Sequence, residues 1–461
     1  MTVMELVNPA TAEVFADVEM LDAAAVDRAV TDAQRAQRSW AGATPASRGM
    51  ALRAFAAAVE AHRRELADLE VANSGHPLGQ AMWEVDHVRD VLTFYAATPE
   101  RLAGSQIPVS GGIDITFAEP IGVVGVITPW NFPMTIASWG FGPALAAGNA
   151  VIVKPAEWTP LTSIRLAELA VESGLPEGLL QVLPGRGDVV GEAIIGHPGI
   201  GKVVFTGSTR TGRRVMEQAA QSVKQVTLEL GGKSANIVFA DSDVARAAAT
   251  APYGVFDNAG QDCCARSRIL VQRSVYDEFM ERLEPAVSGI RVGDPRADGT
   301  EMGPLVARPH WEKVASYVPE GAPVAFRGTA PDGPGFWFPP TVLTPQPDDR
   351  SVREEIFGPV VTVQAFDDEV QAVAMANDSP YGLSGSIWTE NLSRAMRVSR
   401  AVAAGNLSVN SHSAVRYSTP FGGYKQSGIG RELGPDAPSA FTETKNVFIA
   451  VEPDPQAGGT S

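Results

Sequence analysis

Apolar positions along the first hundred residues recur at helical spacing. "DAAAVDRAVTDAQRAQRSW" and "ASRGMALRAFAAAVEAHRRELADLEVANSG" each place alanine, valine and leucine on one face and charges on the other, which predicts a helical start to the chain. The pattern then changes. After "RLAGSQIPVSGGIDITFAEP", a candidate two-stranded excursion, short β-rich runs ("IGVVGVIT", "NAVIVKP", "LLQVLP", "KVVFTG", "VTLEL") alternate with helical stretches such as "LTSIRLAELAVESG" and "TRTGRRVMEQAAQSV". This alternation predicts an α/β chain with a parallel, doubly wound sheet, which binds ligands beyond the carboxyl ends of its strands. A second α/β series runs from about residue 234 to 444 with "SRILVQ", "SVYDEFMERLEPAVSGI", "VVTVQAF" and "GNLSVN", and the closing "NVFIAVEP" reads as a strand in need of a partner.

No charged residue occurs between Pro120 and Val153, but prolines at 129, 133 and 143 and asparagines at 131 and 149 rule out a single spanning helix. The segment reads instead as buried strand, loop, helix and strand. At 461 residues the chain is enzyme-sized, and its 44% hydrophobic and 20% charged residues predict a folded body, with disorder only at "PDPQAGGTS". A net charge of −16 without a basic run argues against a nucleic-acid partner. The N-terminus has no basic residue ahead of an apolar run, and the only two cysteines are adjacent, so neither export nor a disulfide scaffold is expected. A reducing cytoplasm fits, with no membrane association.

Several short motifs carry candidate chemistry. "FTGSTRTG" puts Gly207 and Ser208 at a strand-to-helix junction, where a helix N-terminus meets phosphate, although glycines at a turn are also purely structural. Lys154 and Glu157 in "VIVKPAE" could hold ribose hydroxyls, or form an ordinary ion pair in a solvated loop. Asn131 in "TPWNFP" is either a turn residue or a buried amide donor for an oxyanion. Glu229 closes a β-rich run before two glycines, at an exposed strand end or poised for proton transfer. "NAGQDCCARSR" places Cys263 and Cys264 in a polar loop, a poor site for core filling and a better one for a thiolate nucleophile. No histidine or third cysteine stands nearby at metal-ligand spacing, so no metal is expected.

Together these segments resemble the NAD(P)-dependent aldehyde dehydrogenase superfamily over nearly the whole chain. "PWNFP", "KPAE", "FTGST", "LELGGKSANIV", "GQDCCA", "EEIFGPV" and "PFGGYKQSGIGRELG" occur in family order, with Glu229 and Cys263 at the expected separation of 34 residues. The family pattern G-Q-x-C selects Cys263 as nucleophile and leaves Cys264 as its neighbour. The resemblance implies Glu229 as general base, Asn131 as oxyanion amide and Glu432 as a proton-relaying carboxylate. For NAD, with NADP also possible, it implies Ile127, Thr128, Trp130, Lys154, Glu157, Gly187, Gly207, Ser208, Glu355 and Phe357. Glu354 reads as a surface acid. An aldehyde tunnel is expected from Phe132, Ile136, Trp139, Asp262, Cys264, Val415 and Phe421.

The implied reaction is oxidation of a small-molecule aldehyde to its acid through a thiohemiacetal and a thioester, which Glu229-activated water hydrolyses. Asp262 leans the substrate toward amino- or betaine-type aldehydes, and Arg416 points instead to a carboxylated semialdehyde. A CoA-acylating enzyme and a non-catalytic binding protein are the other readings, and Glu229 argues against the first. Two departures stand out: a short N-terminal segment, and Arg266 where glycine is frequent, which would alter the loop. The implied architecture has a Rossmann-like cofactor domain (1–100 and 121–231), an α/β catalytic domain (232–445), and a small β oligomerisation arm with the tail (101–120 and 446–461). Pairing of arms between subunits implies a homodimer or homotetramer.

Overall fold

The computed structural model describes residues 2–413 and 415–451. Its centre is a six-stranded sheet in the order Gly428–Ile429, Gln225–Glu229, Lys202–Thr206, Val123–Ile127, Ala150–Lys154, Leu180–Val182, parallel except at the first pair. The strands Val123–Ile127, Ala150–Lys154 and Lys202–Thr206 are buried along their whole length. That is why they read as continuous apolar runs: helices cover both faces of the sheet. The charge-free stretch resolves into two of these strands and the wholly buried helix Pro133–Ala146, started by Pro133.

A second sheet of seven strands runs Val324–Arg327, Thr341–Leu343, Val360–Phe366, Arg268–Gln272, Ala235–Val238, Ser384–Trp388, Asn406–Val409, parallel except at its first pair. The third sheet is antiparallel. Strand Gly112–Pro120 lies between Gln106–Ile107 and the terminal Thr442–Ala450, giving the isolated terminal run its partner within the chain. Among the described residues, no helix is long and apolar enough to cross a membrane.

The structure departs from the sequence expectation in three places. The helical start is preceded by a hairpin, Thr2–Val7 with Val14–Met20, whose strands are half exposed and carry only a weak apolar alternation. The helical stretch over residues 46–75 forms two helices, Pro45–Ala61 and Arg63–Ser74, which meet at His62. Residues 428–429, expected in the catalytic unit, pair instead with the Glu229 strand of the first sheet, and the terminal strand begins at Thr442 rather than 446. Such short strands have no periodicity long enough to say which sheet they join. The tail expected to be disordered lies outside the described residues.

Candidate active site

Three neighbouring strands of the first sheet end on one crevice. The ends of Val123–Ile127, Ala150–Lys154 and Lys202–Thr206 deliver Ile127, Thr128, Trp130, Lys154, Glu157, Gly207 and Ser208. With Gly187 these line a cavity of about 740 Å³. Ser208 caps the helix Thr209–Ala220, its hydroxyl accepting from the Thr211 N–H, so a helix N-terminus faces this space. Lys154 is buried, donates to the Pro155 carbonyl at 2.8 Å and lies 3.4 Å from Glu157. Burial lowers its pKa, and Glu157 opposes that shift. Glu157 also accepts from the Gly187 N–H at 2.6 Å, so this carboxylate is held across the crevice rather than free in solvent.

A second cavity, of about 290 Å³, continues from the first past Trp130, Gly207 and Ser208 and brings in Asn131, Glu229, Cys263, Glu355 and Phe357. Glu355 accepts from the Gly232 N–H at 2.7 Å and packs over Gly231, where a Cβ would sit 2.5 Å from its carboxylate. Phe357 stands edge-on to Trp130 at 5.3 Å, and its carbonyl meets His310 Nε2 at 2.6 Å. His310 and Lys313 also line this cavity. Sequence reasoning missed both, because "RPHWEK" belongs to a helix start with no spacing of its own to mark it. Glu354, read as a surface acid, is half exposed and bonded to Tyr317 and Arg350.

The loop ahead of the cysteines explains why Gly and Gln precede them. Asn258, Ala259 and Gly260 take successive left-handed conformations with φ of 47°, 53° and 70°. Gly260 is required there twice over, since a Cβ would also fall 2.2 Å from the Gly358 carbonyl. Gln261 bolts the loop down, donating to the Asn258 carbonyl at 3.1 Å and accepting from the Val306 N–H at 2.9 Å. Asn131 Nδ2 donates to the Gln261 carbonyl at 2.9 Å, and Asn258 donates to the Asn131 carbonyl at 2.7 Å. One of the two Asn131 amide hydrogens is therefore anchored beside the nucleophile, leaving the other for the cavity. Such strain persists only where the surroundings over-determine it, and here they do.

Cys263 and Cys264 are both free thiols, with their sulfurs 4.0 Å apart. The Cys263 pKa is pushed well up by contact with Cys264, by burial, and by the negative groups Asp262 and Glu229. Glu229 is itself buried, with neither oxygen bonded among the described residues, and burial and then Glu432 raise its pKa. Glu432 lies behind it, brought there by a bridge to Phe421 rather than by lining the cavity. Burial lifts its pKa to about 8 against the pull of Lys202.

On the other side of Cys263 a third cavity, of about 230 Å³, is lined by all seven expected tunnel residues: Phe132, Ile136, Trp139, Asp262, Cys264, Val415 and Phe421. Cys263 and Ile136 line both this cavity and the preceding one, so the thiol stands where the two meet. Trp83, Thr135, Tyr253, Asp257, Arg266 and His412 join the wall, and only the fold brings these distant residues together. Arg416, which pointed to a carboxylated substrate, is exposed and does not line it.

The sequence profile of the Aldehyde dehydrogenase family matches residues 1–447. The chain belongs to the aldehyde dehydrogenase family. It is 42% identical over 451 residues to an aldehyde dehydrogenase of Aspergillus niger, covering 96% of this chain and 91% of that one. It is 40% identical over 462 residues to a betaine aldehyde dehydrogenase of Rhizobium etli, covering 98% and 95%. The crystal structure of PnpE from Pseudomonas sp. WBC-3 in complex with nicotinamide adenine dinucleotide matches with a TM-score of 0.96 at 40% identity, covering 98% of this chain and 95% of that one. The two large sheets and the small antiparallel arm are thus the aldehyde dehydrogenase fold.

Proposed function

We propose that this chain oxidises an aldehyde to the carboxylic acid with NAD, using Cys263 as nucleophile. The observation that carries this reading is the position of Cys263 between two cavities, with Glu229 and Asn131 on one side and the expected tunnel on the other. The PnpE relative binds the same dinucleotide. Lys154 and Glu157 would hold its adenosine ribose, the Ser208 helix end its pyrophosphate, and Glu355 with Phe357 the nicotinamide end. Bound NAD supplies the acceptor for the hydride that leaves the substrate carbon.

The residues then act in order. Glu229, held above the usual carboxylate range by burial, takes the Cys263 thiol proton as sulfur attacks the aldehyde carbon. The thiohemiacetal oxygen is met by the free Asn131 amide hydrogen. Glu229 then gives up the thiol proton by way of Glu432 behind it, so that once hydride loss has left a thioester it can remove a proton from water, whose oxygen displaces the Cys263 thiolate and releases the acid. Glu432 stands behind to take up or return that proton. A base in the thioester's own cavity supports water, rather than CoA, as the acyl acceptor.

The substrate tail would lie in the third cavity, whose wall carries Asp257, Asp262, Arg266 and His412 among aromatic side chains. The exposed apolar positions Ile113, Phe117, Phe448 and Ile449 on the paired strands of the arm support assembly with a second copy. The test of the reaction is NADH formation by wild type and Cys263→Ser across aliphatic, aromatic, amino and carboxylated aldehydes without CoA. Turnover that disappears in the variant is expected. Wild type that binds NAD yet turns over none of these aldehydes would overturn the reading.

A further inference from the structure

Arg266 is the side chain that the chemistry above leaves unused. It follows the nucleophile by three residues and lines the tunnel cavity, yet it is 2% exposed. Its Nε donates to Ser386 Oγ at 3.1 Å and its Nη1 to the Cys264 carbonyl at 2.7 Å, both neutral acceptors, while Nη2 has no partner among the described residues. His412 lines the same cavity and shares the same serine, its Nδ1 lying 3.0 Å from Ser386 Oγ. Ser386 already accepts from Arg266, and its contact to Nδ1 is shorter than the 3.3 Å to Ser408 Oγ. Ser386 Oγ, with one proton and two lone pairs, is thus shared among Arg266, Ser408 and His412, whose second ring nitrogen is Nε2. That nitrogen too is buried without a partner among the described residues. Burial and Arg266 push the His412 pKa down to about 3, which keeps the ring neutral.

One buried donor, Arg266 Nη2, and one buried ring nitrogen, His412 Nε2, thus belong to the wall of one small cavity without a partner among the described residues. The acids of the same wall each accept hydrogen bonds within the protein: Asp262 from the Cys264 N–H at 2.9 Å, and Asp257 from Gln80 and from the Asn258 N–H. The Arg266 guanidinium has Asp262 as a charged neighbour but hydrogen-bonds only to neutral acceptors, and a carboxylate at Nη2 would complete it with a charge-assisted bond. Gly254 leaves room for the arrangement, since a Cβ there would lie 2.7 Å from His412 Nδ1.

Resting on the reading of this cavity as the aldehyde tunnel, we propose that Arg266 and His412 recognise a carboxylate at the far end of the substrate, making it a short-chain semialdehyde acid. The cavity of about 230 Å³ suits a tail of a few carbons. Arg266, not the exposed Arg416, then sets specificity.

Three four-carbon aldehydes differing only in the tail test this with NAD: 4-oxobutanoate, butanal and 4-aminobutanal. Wild type is expected to show kcat/KM for 4-oxobutanoate at least about tenfold above butanal. Arg266→Gln and His412→Phe should each shrink that ratio, a readout insensitive to a general loss of activity. Because Arg266 also braces the Cys264 carbonyl, wild type alone supplies a second measurement: butanedioate should inhibit butanal oxidation competitively, and butane-1,4-diamine should not. Equal use of 4-oxobutanoate and butanal, preference for 4-aminobutanal, or inhibition by the diamine alone would overturn the proposal and leave aldehyde oxidation standing. No turnover of any of the three by wild type would remove both.

Discussion

At the scale of single residues, the chemistry depends on buried groups with raised pKa values. Glu229 and Glu432 are buried near one another, and two carboxylates so placed do not both ionise readily. Replacing Glu432 by Gln removes the like charge, so Glu229 loses its proton more easily. The acid limb of the kcat profile should then move to lower pH by about one unit, checked by turnover across pH 5 to 9. Cys263 is likewise held as thiol by Cys264, burial, Asp262 and Glu229. Asp262→Asn keeps the acceptor for the Cys264 N–H but removes a charge, so iodoacetamide should label Cys263 faster at neutral pH than in wild type. An unchanged labelling rate would mean that Asp262 does not govern this thiol.

At the scale of elements, the nucleophile loop decides whether these groups meet. Its three left-handed residues have no helical or strand signature, and only Gly260 hints at them in the sequence. Gly260→Ala places a methyl against the Gly358 carbonyl at positive φ. It should lower stability by about 2–4 kcal/mol and reduce turnover more than NAD affinity, read by denaturant unfolding and cofactor titration. The regular elements were far more legible. Strands 123–127, 150–154 and 202–206 stood out because burial on both faces makes them uniformly apolar. The Gly428–Ile429 strand did not, although it helps bring Glu432 to Glu229, because two residues cannot display a period.

At the scale of the whole molecule, buried charge ties stability to pH. His76 is buried among Glu84, Glu70 and Asp257; burial lowers its pKa, but these carboxylates outweigh it and raise the pKa to about 9. The folded pKa exceeds the ordinary 6.5, so this contribution is fully present below about pH 6.5 and fades as pH rises through about 9. Wild-type Tm should therefore fall over that window more steeply than that of His76→Gln, read by thermal denaturation. The arm supplies a second test: Phe448→Asp on its terminal strand should shift the species measured by light scattering toward monomer.

The sequence by itself determined the α/β class, the order of the longer strands and helices, and the residues of the family motifs, the adjacent cysteines among them. These depend on local periodicity or on residues adjacent in the chain, and both survive in a linear string. Tertiary structure alone decided that Cys263 stands between two cavities, that Glu432 lies behind Glu229, and that Arg266 rather than Arg416 lines the tunnel. Those facts depend on contacts between residues as far apart as Trp83, Arg266 and His412. Only packing brings such residues together, and only the low dielectric it creates gives their charges their altered strength.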